Sequence, residues 1–208
     1  GESSSALYSL VKANALDPRD FNSQLLLSIF QKEENRKSTA MKIKKNKNSY
    51  TKTNLELYPL ILDMQVETEL IDCLYKIKAR DQEKYQGPTY GNAQGSEYNL
   101  FEKSDLIINK IKYNLIKMIR DCMKSDILIS ESFFTIFRSG GGLISHDHLG
   151  PLDNIKGLQI ASKKFSLVYY LSVGDQNCDE PGVLKLEEPN QDILPTDGMI
   201  IIFPAGRK

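Results

Sequence analysis

The sequence predicts an α+β, mainly β chain in which helices come first and a run of strands comes after. Three observations carry this. Apolar residues recur at helical spacing as far as Cys122, and after Ser125 the apolar stretches shorten and become rich in Ile, Val, Phe and Tyr. Turn signals at Gly174-Asp175, Glu180-Pro181-Gly182, Pro189-Asn190 and Asp197-Gly198 separate those stretches. Helices and strands thus occupy separate parts of the chain, which argues against an alternating parallel sheet. Small antiparallel sheets of this kind usually close into a barrel or double-sheet roll, leaving a mouth for a ligand.

Residues 1–35 read as a helical segment. Ala6, Leu7, Leu10 and Val11 share one face, Leu16-Asp17-Pro18 ends that helix, and Leu25, Leu26, Ile29 and Phe30 stripe a second. A helix ending in ALDP before another helix resembles the end of a tetratricopeptide repeat, and a plain helical hairpin fits the same residues. Residues 36–54 are a polar, locally basic linker, with Arg36, Lys37, Lys42, Lys44, Lys45, Lys47 and Lys52 but no glycine–aromatic interleaving. The domain proper is expected over residues 55–208.

Within it, LELYPLILDMQV suits a strand, and a helix is expected over roughly Glu67–Lys84. Residues 85–104, YQGPTYGNAQGSEYNLFEKS, read as a glycine- and tyrosine-rich loop of functional length. Ser104 can cap the next helix, whose Ile108, Ile111, Leu115, Met118 and Cys122 form a continuous stripe. That helix is expected to support a sheet from outside. Strands are expected in Ile127–Arg138, Lys163–Val173, Val183–Leu186 and Met199–Phe203.

Composition bounds the function. Lys+Arg 27 against Asp+Glu 27 leaves no global field to recruit nucleic acid or anionic lipid. Three widely spaced cysteines, Cys73, Cys122 and Cys178, make neither a disulfide framework nor a CxxC motif, which suits free thiols in a reducing cytoplasm. No apolar run approaches the ~20 residues of a membrane span, and no signal peptide is visible. A start at Gly1 and a stop directly after an apolar strand read as a piece of a longer protein.

The chemistry concentrates in Phe133–His148, FFTIFRSGGGLISHDH. The chain has two histidines, His146 and His148, one residue apart. Side chains of equal parity on an extended segment share a face, so both imidazoles can reach one metal ion. Imidazole suits iron, zinc, copper and nickel, and a site with two or three protein ligands keeps positions open for substrate. Gly140, Gly141 and Gly142 would let the backbone bend before the pair.

Residues 55–208 resemble the iron(II)/2-oxoglutarate-dependent oxygenases of the prolyl-hydroxylase-like type, built on a double-stranded β-helix (a jelly-roll, cupin-like core). The residues that carry the likeness are Phe137-x-x-Gly140, His146, Ser166-Leu167-Val168-Tyr169-Tyr170-Leu171, Pro181-Gly182-Val183-Leu184 and Gly198–Pro204, in the family's order. It is nearest to a branch often attached to tetratricopeptide repeats, in keeping with the ALDP helix pair.

The resemblance implies Fe(II) and 2-oxoglutarate as cofactors, with ascorbate as a candidate reductant. The implied reaction is hydroxylation of a substrate C–H by O2, with release of succinate and CO2. The substrate would be a small molecule, peptide or protein; no nucleic-acid or membrane partner is expected.

It also implies roles residue by residue. His146 matches the first metal ligand. The family's aspartate position is held by His148, so the second ligand is His148, or Asp147 or Asp153 after a local bend; strand parity favours His148. A third ligand, a further His, and the basic 2-oxoglutarate anchor are expected past Lys208, which leaves the activity of this piece alone open. Ser166 and Tyr170 share a parity with Val168 and are the candidate cosubstrate contacts. Phe137 stands where many relatives carry a tyrosine.

Two other readings fit part of the pattern. Gly140-(five)-His146-x-His148 and Gly198-(five)-Pro204-x-Gly206 match the two cupin motifs, with Asp153 near the cupin glutamate. A degenerate, non-catalytic β-helix acting as a binding module is the other. The segment Leu149–Lys164 is a candidate substrate lid.

Overall fold

The computed structural model describes residues 58–77, 80–81, 88–155, 159–179 and 181–208. The N-terminal helical segment and the basic linker lie outside the described residues. Of these residues, 112–132 belong to one compact unit and the remainder to a second, which holds both histidines. The architecture is mixed helix and strand, with small antiparallel sheets and two α-helices among the described residues. No described helix is long and apolar enough to cross a membrane.

The central element is β10 (Met199–Pro204), which runs antiparallel between β1 (Leu60–Asp63) and β7 (Phe165–Tyr169). Its Ile200, Ile201, Ile202 and Phe203 are all buried. A strand covered on both faces reads as an unbroken apolar run rather than an alternation, and that is why the sequence here is MIIIFP. Register pairs Ile201 with Ile61 on one side and Val168 on the other, and Phe203 with Ser166. A second layer comes from the hairpin of β8 (Leu184–Leu186) and β9 (Gln191–Ile193). Leu186 forms a buried cluster with Ile201 and Phe203, and Val168, Tyr170, Leu184, Ile193 and Met199 pack around it. At about 1.5–3 kcal/mol per buried large apolar side chain, this two-layer contact is a principal source of stability in the unit.

The expected helices are present with different bounds. The first, α1 (Thr68–Lys76), buries Leu70 and Leu74 and ends well before Lys84; β2 (Arg80–Asp81) comes next as a short strand. The second, α2, spans Leu106–Met123 and buries Ile108, Ile111 and Leu115, while Cys122 is exposed. Its first backbone bond runs from the Asn109 N–H to the Asp105 carbonyl, so Asp105 rather than Ser104 occupies the capping position.

The glycine- and tyrosine-rich stretch is not a free loop. It carries β3 (Thr89–Tyr90) and β4 (Ala93–Gly95), which pair with β6 (Gly142–Leu143) and β5 (Thr135–Phe137) respectively. These pairs form one antiparallel ribbon leading to the histidines, and β2 adds to the far edge of β4. The strand expected over Ile127–Arg138 is confined to β5, because only Thr135–Phe137 finds a pairing partner in a strand ladder.

Between the two halves of the ribbon, Gly91-Asn92 faces Arg138–Gly141, two residues against four. This is a bulge, and such insertions bend a strand and re-aim the chain beyond them. Gly91 and Gly140 sit at φ +62° and +78°, the left-handed region that a side chain resists.

Candidate metal centre

The ribbon delivers the His pair to one end of the central sheet. Beyond β6 the Ile144 N–H donates to the Pro88 carbonyl, and the His148 N–H donates to the Ala205 carbonyl at 2.7 Å. The chain thus leaves the ribbon and joins the end of β10 within a few residues. His146 and His148 come to the same side, with ring centroids 4.9 Å apart and planes 24° from parallel. Metal–nitrogen bonds of about 2.1 Å at roughly right angles bring two imidazole centroids to about 4–5 Å, a range that includes this separation.

The two rings differ in environment. His146 Nδ1 lies 2.8 Å from the Ile144 carbonyl oxygen. A carbonyl only accepts, so Nδ1 carries the proton and Nε2 keeps its lone pair. His148 is half-buried, its ring edge-on to Phe203 at 5.9 Å and 90°. Burial, then the neighbouring His146 and Lys164, push its imidazole below the usual histidine value, against the pull of Asp147. His148 is thereby biased towards the neutral ring, the form that borderline metals such as ferrous iron accept.

The two carboxylates considered as alternative ligands are engaged elsewhere. Asp147 is exposed, and its Oδ1 accepts the Leu149 N–H at 3.1 Å, an Asx turn on its own chain. Asp153 is buried, and its Oδ2 accepts from the Gly150 N–H at 2.6 Å and the Lys164 ammonium at 2.7 Å. Among the described residues no group of three His, Cys, Asp or Glu is gathered that could hold a metal ion. The pair supplies two nitrogen donors of a type that iron accepts.

Ser166, Val168 and Tyr170 lie on the face of β7 and its extension that also carries Ile201 and Phe203. Ser166 is buried directly across from Phe203, the residue against which His148 rests. Tyr170 packs on the apolar cluster, and burial raises its phenol to about 12, so it is a neutral hydrogen-bond donor at physiological pH. Phe137 is exposed on the ribbon.

Sequence reasoning did not reach Lys164, Ala205 or Phe203 as neighbours of the pair. Only the aromatic before Pro204 was visible as part of a motif; an ion pair spanning Asp153 and Lys164 has no spacing signature. No protein-family model, no curated protein and no solved structure matches the chain.

Proposed function

We propose that the chain forms the core of an Fe(II)- and 2-oxoglutarate-dependent oxygenase with a double-stranded β-helix fold, hydroxylating a C–H bond of a small molecule, peptide or protein. The observation that carries this reading is the His146–His148 pair, stacked at 4.9 Å beside the layered apolar core. The order of elements supports it too: a ribbon ending in the pair, then β7, the β8–β9 hairpin and β10.

In this reading His146 and His148 would hold the iron. The bound iron and 2-oxoglutarate supply the oxidation of the substrate C–H by O2, with succinate and CO2 released. The chain's own residues do the rest. The Ile144 carbonyl fixes the tautomer and orientation of His146, and Phe203 excludes water from one side of His148. Ser166 and Tyr170 are the candidate cosubstrate contacts, each able to donate a hydroxyl hydrogen to a carboxylate oxygen. The Leu149–Lys164 segment is the candidate cover of the substrate side.

A cupin-type metalloprotein is the second reading. What favours it is the His146-x-His148 spacing itself, which cupins share, where the oxygenase pattern has an aspartate at the second position. The test is succinate release by the protein, supplied anaerobically with Fe(II) and 2-oxoglutarate and then given O2. Iron-dependent succinate formation supports the oxygenase. Metal binding without any 2-oxoglutarate consumption supports the cupin reading, and binding of neither leaves a non-catalytic β-helix module.

A further inference from the structure

Both ends of the segment His148–Asp153 are fixed to one rung of backbone. At its start the His148 N–H donates to the Ala205 carbonyl at 2.7 Å, and the Ala205 N–H donates to the Lys164 carbonyl at 3.0 Å. At its end the Asp153 carboxylate, 7% exposed, accepts from the ammonium of that same Lys164 at 2.7 Å. Between these anchors the Leu149 N–H goes to Asp147 Oδ1, the Gly150 N–H to Asp153 Oδ2, and the Asp153 N–H back to the Gly150 carbonyl. Every amide from His148 to Gly150 is bonded. The Leu149 side chain lies over Gly206, where a Cβ would come 3.2 Å from Leu149 Cδ1.

We propose that Asp153 and Lys164 are a positioning pair that fixes His148, and that Asp153 is not a metal ligand. The inference rests on the oxygenase reading only for what His148 then does. One Asp153 oxygen, Oδ2, carries two charge-assisted bonds, which fix the orientation of the carboxylate. Turning it towards a cation would strip the Lys164 ammonium, itself 21% exposed, of its counter-charge, and a buried charge left alone is strongly unfavourable. Held as it is, the pair closes a small ring of chain: Asp153, Lys164, Ala205, His148 and back through Leu149 and Gly150. Opening that ring at the ion pair frees the turn after His148, and the imidazole loses its fixed approach to Phe203.

The experiment compares Lys164→Met and Asp153→Asn with the charge-retaining Lys164→Arg, each checked for folding by circular dichroism. Two quantities are read: hydrogen exchange of the His148 amide in metal-free protein, and cobalt(II) affinity by titration. Lys164→Met and Asp153→Asn are each expected to speed exchange at His148 by about tenfold or more, and to weaken cobalt(II) by about tenfold, the range of outer-sphere partners of metal ligands. Lys164→Arg is expected to stay near wild type in both. Unchanged His148 exchange in Lys164→Met overturns the proposal. So does cobalt(II) binding that is retained or tightened in Lys164→Met but abolished in Asp153→Asn, since that is the behaviour of a ligand. If the single variants do not fold, Asp153→Leu combined with Lys164→Met removes both charges together, and wild-type exchange at His148 there overturns it equally. Should the wild-type chain bind no cobalt(II), the metal reading fails while the exchange measurement still judges the pair.

Discussion

A side chain on Gly91 would begin 2.0 Å from the carbonyl oxygen of Gly140. Two backbones from opposite strands touch at this point, and the bulge that re-aims the ribbon towards His146 depends on Gly91 carrying no Cβ. Gly141 is equally confined, with the Asn92 carbonyl oxygen 2.6 Å from where its Cβ would stand. The glycine run therefore serves close packing across the ribbon as much as bending along the chain.

Gly91 and Gly140 should respond differently to alanine. At Gly140 φ is +78° but nothing lies within 4 Å of the added methyl, so Gly140→Ala should cost only the left-handed strain, about 1–2 kcal/mol. Gly91→Ala adds a backbone clash to the same strain and should cost at least about 3 kcal/mol. Urea unfolding of the two variants measures both.

Ile201 is fully buried against Leu186 and Phe203. Ile201→Ala should destabilise by about 2–5 kcal/mol, the range for a buried large-to-small change. Its cross-strand neighbour Ile61 is 46% exposed on the edge strand, and Ile61→Ala should cost under about 1 kcal/mol. Equal losses at the two positions would contradict the placement of β10 at the centre of its sheet.

Tyr170 gives a pH dependence with a definite sign. Burial raises its phenol from the ordinary 10.0 to about 12. The unfolded chain therefore releases this proton first as pH rises, so the unfolded state binds fewer protons and stability falls. The contribution is complete below about pH 10 and is lost between about 10 and 12. Absorbance in the phenolate band should show Tyr170 ionising late, and Tyr170→Phe should reduce the late step by one tyrosine and flatten the alkaline loss of stability.

Arg207 is buried near the chain end, donating from Nε to the Glu187 carbonyl at 2.9 Å and from Nη2 to the Pro189 carbonyl and Gln191 Oε1. It gathers the turn between β8 and β9. An ammonium cannot reproduce a planar fork, so Arg207→Lys should cost about 1–3 kcal/mol, the worth of a charge-assisted hydrogen bond. Denaturant unfolding checks this, with Lys208→Ala, an exposed neighbour, as the control.

How much of this was legible in the sequence depends on the range of the interaction. MIIIFP and FSLVYY declared β10 and β7 because burial on a central strand leaves an unbroken apolar run. Ile108, Ile111 and Leu115 declared α2 by spacing alone. The bounds of α1 were overdrawn because residues after Lys76 continue an apolar-polar alternation that local propensity cannot terminate. Residues 89–95 read as a loop because glycine and asparagine normally mark one; their pairing with residues 135–143 is a contact across 40 to 54 positions. At the site, parity foretold that His146 and His148 share a side. The engagement of Asp153 with Lys164 depends on how β7 returns beside β10, which no local pattern encodes.

The most direct test of the central claim is an anaerobic titration of the chain with cobalt(II) or iron(II), repeated on His146→Ala, His148→Ala and the double variant. One ion per chain is expected, with affinity falling in either single variant by more than the roughly 10–100-fold that loss of an outer-shell partner costs, since each removes one of the ligands that hold it. Binding that survives in the variant lacking both imidazoles, or no binding by the wild-type chain, would contradict it.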